Sequence, residues 1–299
     1  MAALKPYLGV TRAPFLLLPV TLVASGAAAS AHDDGFSVGR SLLALVGLVA
    51  LHAAVNALNE ASDFRTGIDL HTRRTPFSGG SGTLPAGALS ARSALVFAYG
   101  AAALGLAVGV AFLVLVGWIL LPILVLGALC VLTYADLLSR WGIGEAAAGL
   151  GLGALPVLGT ALVQGGTVGP AAWTAAAPAT FMTFNLLLLN EFPDEEADRQ
   201  GGRRHLVILL GRTGAARVYA AAALLTPASI VLGVAIRWLP AAGLLAALPS
   251  ILLARPLRWA LGSPREAVPV GALGANVVWN LATNLVLAAA LAVTASPAR

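Results

Sequence analysis

Charge is what this sequence has least of. Only 10% of its 299 residues are Asp, Glu, Lys or Arg, against about a quarter in an ordinary soluble domain. Hydrophobic residues make up 59% and the mean hydropathy is +0.88. A soluble fold of that composition would bury its helices on every side, and a chain of this size has too much surface to do so. Cysteine is nearly missing too. The single Cys130 excludes a disulfide framework and any cysteine-based metal centre; set in an apolar run, it reads as a small core hydrophobe. Acids number only 13, and the pI is ≈ 10.1. The basic residues nevertheless form no nucleic-acid patch. They fall in short loops between apolar runs, which is the signature of membrane topology.

What the chain does have is a series of apolar stretches near the ~20 residues a helix needs to cross a bilayer. Nine are read, at about 14–31, 41–61, 91–110, 113–133, 144–163, 171–190, 215–236, 240–256 and 270–294. The run from 94 to 134 is too long for one span, and a turn is placed near Gly109. PFLLLPVTLVASGAAASA followed by HDDG imitates a cleavable leader, but it is read as the first span because the bundle needs it. The fold class expected is all-α: a polytopic membrane protein with nine transmembrane helices in a single bundle. One domain is expected over 1–299, with polar loops at about 62–90 and 191–214 capping one end. With the N-terminus inside, 15 of the 18 Lys and Arg fall on the inner side, leaving Arg40, Arg237 and Arg299 outside. That asymmetry makes the capped end cytoplasmic, in a prokaryotic inner or plasma membrane.

Eight of the 13 acids lie in two stretches at that end, NALNEASDFRTGID (56–69) and NEFPDEEADRQGGRRH (190–205). Carboxylates at a membrane edge are costly without a positive partner. The stretches match: Asn59-x3-Asp63 and Asn190-x3-Asp194 share a spacing and a place at the end of a span, 131 residues apart. This faint duplication sets the two acidic ends facing each other across the bundle. Asn59 and Asp63 share a helix face, as do Asp194 and Asp198, and like charges at that spacing call for a counter-ion. Two carboxylate pairs with Asn oxygens suit Mg²⁺. Arg65, Arg73, Arg74, Arg203 and Arg204 are placed to grip a polyanion that the acids alone would repel. Solvated loop charges are the bland alternative, and two matched, Arg-flanked stretches on one side argue against it.

The paired motifs resemble those of the UbiA superfamily of intramembrane prenyltransferases. The first is most similar to the branch that prenylates 1,4-dihydroxy-2-naphthoate in menaquinone synthesis, whose pattern N-x-x-N-D-x-x-D-x-x-x-G-x-D is matched at Asn56, Asn59, Asp63, Gly67 and Asp69. TPFSGGSGTLPAG (75–87) resembles the Gly-rich stretch that follows it there. Glu60 stands where that family usually has Asp. YADLLSRWGIGE keeps Tyr134 and Glu145 of the segment after the fourth span but not the residues between them.

The resemblance implies that Mg²⁺ held by Asn59, Asp63, Asp194 and Asp198 binds a polyprenyl diphosphate. The allylic cation formed as the C–O bond breaks would be captured by an aromatic acceptor. Asp63, Asp194, Asp198 and Asp69 are the catalytic candidates. Asn56, Glu60, Arg65, Arg74, Tyr134, Asn190, Arg203 and Arg204 are the candidates for substrate binding; Glu60 and Asp69 serve either as ligands or in placing the acceptor. An intramembrane terpene cyclase shares this ionisation and stays open. A cation-coupled transporter is disfavoured because its ionisable residues should lie near mid-membrane. SGGSG (78–82) either wraps the diphosphate with backbone N–H groups or is a flexible linker. Asn185 and the stripe Asn276, Asn280, Asn284 are read as interhelical hydrogen-bonders, His52 as a core residue, and His71 and His205 as solvated.

Overall fold

The computed structural model describes residues 4–33 and 35–295. Among them nine helices are long and apolar enough to cross a membrane: Ala13–Asp33, Val38–Thr66, Ala91–Val116, Trp118–Leu138, Gly144–Gly165, Pro170–Glu191, Leu206–Ala235, Ala241–Gly262 and Val270–Thr294. The protein is a multi-pass integral membrane protein, as its hydropathy demands. Successive spans pack on one another, and the ninth returns to the first, so that the bundle closes into a ring. The fifth span is the most buried, followed by the first and sixth; the third and fourth face mostly outward.

Two boundaries differ from the sequence reading. The third span turns at Gly117, whose φ of 86° only glycine adopts easily, and not at Gly109, which stays helical against Leu124. Nothing polar marks either glycine, so apolar pattern alone could not choose between them. The seventh helix begins at Leu206 and is broken at Gly211 (φ 67°, ψ 164°). Just past the break, Arg212 donates to the carbonyls of Phe192, Pro264 and Glu266 and meets Glu195 at 3.1 Å. One side chain thereby ties the polar ends of three spans together.

Lipid tails are as apolar as leucine, so the spans associate through close packing and interhelical hydrogen bonds rather than through the hydrophobic effect. The core between the first, fifth, sixth and ninth spans is accordingly rich in alanine. A Cβ on Gly153 would stand 2.6 Å from the Ala179 carbonyl oxygen of the facing helix, which explains why that position has none. Asn185 Nδ2 donates to Tyr219 O, Tyr219 OH to Asn276 Oδ1, and Asn276 Nδ2 to Asn185 O. This closed circuit joins the sixth, seventh and ninth spans as expected of Asn185 and Asn276, whereas Asn284 instead donates to Asn280 within the ninth helix.

Candidate active site

The second span is a continuous helix of 29 residues, capped at its C-terminus by Gly67 in the left-handed conformation. Its last three turns carry Asn56, Asn59, Glu60 and Asp63 to the polar end of the bundle. The sixth span ends at Glu191, and a short helix, Glu195–Gln200, folds back across that end with Asp194 at its N-cap. A cleft of ≈ 80 Å³ opens between them. It is lined by Asn59, Asp63, Asp69, Asn190, Glu191, Asp194 and Asp198, with Arg12, Tyr134 and Arg203. Both acidic stretches therefore reach one cavity, 131 residues apart in sequence.

Arg203 bridges the two acidic motifs on the cleft wall. Its Nη2 donates to Asn59 Oδ1 at 2.7 Å and pairs closely with Asp63, and its Nε lies 3.4 Å from Asp198 Oδ1. Asn59 Nδ2 in turn donates to Asp63 Oδ2 at 2.9 Å. Despite its burial, which works against charge, the flanking carboxylates of Asp63 and Asp198 hold the guanidinium protonated well beyond its ordinary range. Asp194 faces the other wall, accepting from Thr72 Oγ1 at 2.6 Å and from the Gly79 N–H at 2.9 Å. Burial nevertheless raises its pKa to about 6. Asp69 is raised to about 8, by burial first and then by the charges of Asp63 and Glu60. Its Oδ2 is buried with no hydrogen-bond partner, and so is Asn190 Oδ1. Five carboxylates against two guanidiniums line the cleft, an imbalance that leaves it short of positive charge.

The glycine-rich loop is neither a free linker nor a bare N–H cradle. The Ser81 N–H and Oγ both donate to Glu60, at 2.6 and 2.7 Å, while Gly79 serves Asp194. A Cβ on Gly80, at φ 69°, would strike the Asp69 carboxylate. The loop is thus folded onto the acids it was expected to accompany, and Glu60 is spent holding it rather than facing the cleft.

Below the cleft a cavity of ≈ 130 Å³ shares Arg12, Asn59, Tyr134, Leu187 and Asn190 with it. A third, of ≈ 200 Å³ and almost wholly apolar, adjoins the second at His52, Val131, Gly151 and Leu152. Together they make a path from the polar end into the bundle, polar at its mouth and greasy beyond.

A family model for the UbiA prenyltransferase family matches residues 17–269. The chain belongs to this family. It is an intramembrane prenyltransferase by that membership. The same architecture is found in the apo structure of a UbiA homologue from Aeropyrum pernix K1, at 20% identity over 94% of this chain and 98% of that one, TM-score 0.72. A UbiA homologue from Archaeoglobus fulgidus bound to GPP and Mg²⁺ matches at 15% identity, 94% and 99% coverage and TM-score 0.67. A digeranylgeranylglyceryl phosphate synthase matches at 19%, 99% and 99%, and 0.66. Among curated proteins no sequence match is found.

Within this UbiA chain the candidates read from sequence divide clearly. Asn59, Asp63, Asp69, Tyr134, Asn190, Asp194, Asp198 and Arg203 line one cleft. Asn56 lies just below it, where its Nδ2 donates to Thr11 O at 2.8 Å and fixes the turn that carries Arg12. Arg65 is drawn outward into an exposed pair with Asp136 at 2.5 Å. Arg74 lies against Gly82 and Arg204 is exposed; neither reaches the cleft. His205, expected in solvent, is 1% exposed. It is the residue at which the chain re-enters the bundle, and it is packed among Glu145, Glu191 and Asp198. Arg12 was missed altogether. Its backbone is left-handed (φ 51°), a conformation that costs a non-glycine residue energy and persists only where its surroundings hold it. Nothing in the N-terminal sequence distinguishes this arginine from an ordinary topology signal.

Proposed function

We propose that this protein transfers a polyprenyl group from a prenyl diphosphate to an aromatic acceptor, with Mg²⁺ bound in the cleft. The acceptor we favour is 1,4-dihydroxy-2-naphthoate or a related quinone precursor, on the strength of the NALNEASDFRTGID pattern. The observation that carries the reading is the charge imbalance of the cleft together with the orphaned oxygens Asp69 Oδ2 and Asn190 Oδ1. Hard oxygen donors lacking a positive partner fit Mg²⁺. Asn59, Asp63, Asp194 and Asp198 would hold it, and Asp69 stands beside them. When bound, the ion neutralises negative charge on the leaving diphosphate.

The chain's own residues supply the rest. Arg12 and Arg203 lie on the cleft wall to offset the diphosphate charge that grows as the C–O bond breaks. The Tyr134 hydroxyl, at the junction of cleft and cavity, is placed to donate to the same group. The apolar cavities receive the prenyl tail and exclude water, which would otherwise trap the cation. The few polar groups at their mouth, Asn56, Asn190 and Tyr134, suit the hydroxyls of an aromatic acceptor. Lys and Arg placement supports a cytoplasmic position for this end.

The test is turnover of purified protein with Mg²⁺, a labelled polyprenyl diphosphate and dihydroxynaphthoate, 4-hydroxybenzoate or no acceptor. A prenylated naphthoate product that requires the acceptor is expected. Diphosphate release without acceptor, giving a cyclic hydrocarbon, would replace transfer with cyclisation. Preference for the benzoate would keep the reaction and move the acceptor.

A further inference from the structure

Beside the cleft, sharing Glu191 with its wall, three buried side chains from three different spans converge. Glu145 opens the fifth span, Glu191 closes the sixth, and His205 precedes the seventh. They are 1%, 5% and 1% exposed. A carboxylate oxygen from each glutamate and a ring nitrogen from the histidine all lie within 4.8 Å of one another. Among the described residues no Lys or Arg forms an ion pair with either glutamate. Two carboxylates buried without a cation are costly enough that either a proton or a metal ion must accompany them.

The orientation of the three groups decides between the two. Glu145 Oε1 accepts from the Leu206 N–H at 2.6 Å, which fixes that carboxylate and leaves Oε2 without a partner. His205 turns Nε2 toward Asp198 Oδ2 at 3.2 Å and Nδ1 toward Glu191 Oε2 at 4.0 Å. Both ring nitrogens of His205, and Glu191 Oε2, lack a hydrogen-bond partner. A carboxylate near one ring nitrogen, as Asp198 is near Nε2, stands where the outer-shell partner of a metal-binding histidine does. Glu145 is thus held on one side, and one ligand atom from each of the three residues lies within 4.8 Å of the others in a buried cluster with unpartnered polar atoms on all three.

We propose that Glu145, Glu191 and His205 form a second metal site, adjoining the Mg²⁺ cleft whose wall includes Glu191, that takes a transition ion of the Zn²⁺ class. Imidazole among the ligands favours such an ion over Mg²⁺. Bond lengths of about 2.0–2.2 Å to nitrogen and oxygen ask the three ligand atoms to draw together by roughly 1 Å from their present spacing. The ion staples the ends of three spans. Through the His205–Asp198 contact it also positions one carboxylate of the cleft. The role is positional, since none of the three ligands is assigned to touch the reacting atoms.

The test is made on full-length protein purified in detergent without chelator. Metal content is measured by mass spectrometry, and metal-free protein is titrated with Co²⁺ while its visible absorption is followed. About one equivalent of a Zn²⁺-class ion and a Co²⁺ band typical of imidazole ligation are expected. Co²⁺ affinity falls more than about tenfold in Glu191→Gln and in His205→Ala, while Asp63→Asn, which alters only the Mg²⁺ cleft, keeps both the ion and the band. Glu191→Gln is nearly isosteric and guards against a folding defect. Absence of both ion and Co²⁺ band in the wild type would overturn the proposal, and so would unchanged Co²⁺ binding in Glu191→Gln and His205→Ala. An infrared band of a protonated carboxyl in the as-purified protein, removed by Glu191→Gln, would also overturn it by placing a shared proton between the glutamates.

Discussion

Arg203→Ala is the substitution that most sharply probes the electrostatics of the cleft. In the metal-free protein Arg203 does the work of a cation, touching Asn59, Asp63 and Asp198 from a position 8% exposed. One unit-charge pair at the 3.4 Å separation of Arg203 and Asp198 is worth about 5 kcal/mol at an effective dielectric of ~20. Desolvation offsets much of that gain in the intact protein. Removing the cation alone forfeits it, because the two carboxylates remain buried; broken buried pairs cost about 3–5 kcal/mol. In EDTA the variant should therefore melt about 6–20 °C below wild type in detergent, taking roughly 2–4 °C per kcal/mol for a chain of this order. Mg²⁺ should restore most of the loss, since it meets the same oxygens, and so should shift the variant's Tm further than it shifts the wild type's. Arg203→Lys keeps the charge without the fork and falls between. The assay is tryptophan-fluorescence melting with and without Mg²⁺. An Arg203→Ala Tm within about 1 °C of wild type in EDTA, or a Mg²⁺ shift no larger than the wild type's, would refute this reasoning.

Three further outcomes follow from the same geometry. Burial raises Asp194 to about 6, so below that pH Mg²⁺ must displace a proton; its apparent affinity should rise about fivefold from pH 5 to pH 6 and about tenfold by pH 7, and a pH-independent titration curve would contradict this. Asp69, raised to about 8 by burial and by Asp63 and Glu60, is favoured neutral when folded, so the metal-free protein loses stability as pH climbs from the unfolded carboxylate range through 8. Asp69→Asn removes that loss, worth up to about 4 kcal/mol at pH 7, and should raise the Tm in EDTA at pH 7 but not at pH 4. Gly153→Val places side-chain carbon against the Ala179 carbonyl, whose oxygen lies 2.6 Å from an added Cβ; prising the fifth and sixth spans apart should cost about 1–3 kcal/mol, read as a lower melting temperature with Mg²⁺ binding per folded molecule retained.

The fold was legible because lipid imposes it: each apolar run of bilayer length has to become a helix, and the acids, expelled from that environment, marked the functional end. Helical spacing placed Asn59 beside Asp63, and the matched second motif brought Asp194 and Asp198 to the same cleft. What sequence could not convey was how each charge spends its bonding. Arg65, Arg74 and Arg203 look equivalent on the page, yet Arg65 pairs outward with Asp136 while Arg203 turns inward. That choice depends on where the chain re-enters the bundle, a tertiary property. Glu60 matched the motif but serves Ser81, and His205 was hidden because burial of a single polar residue beside a loop leaves no periodic trace. The turn at Gly117 in place of Gly109 shows the same limit within a uniformly apolar run.

Central to the proposed reaction is that this cleft binds a diphosphate through divalent cations held by both acidic motifs. Calorimetric titration of GPP into the purified wild type, in Mg²⁺ and in EDTA, tests this most directly when repeated with Asp63→Asn and Asp194→Asn. Binding that needs Mg²⁺ and weakens at least about tenfold in each single variant is the result predicted. Equal affinity in EDTA, or in both variants, would contradict it.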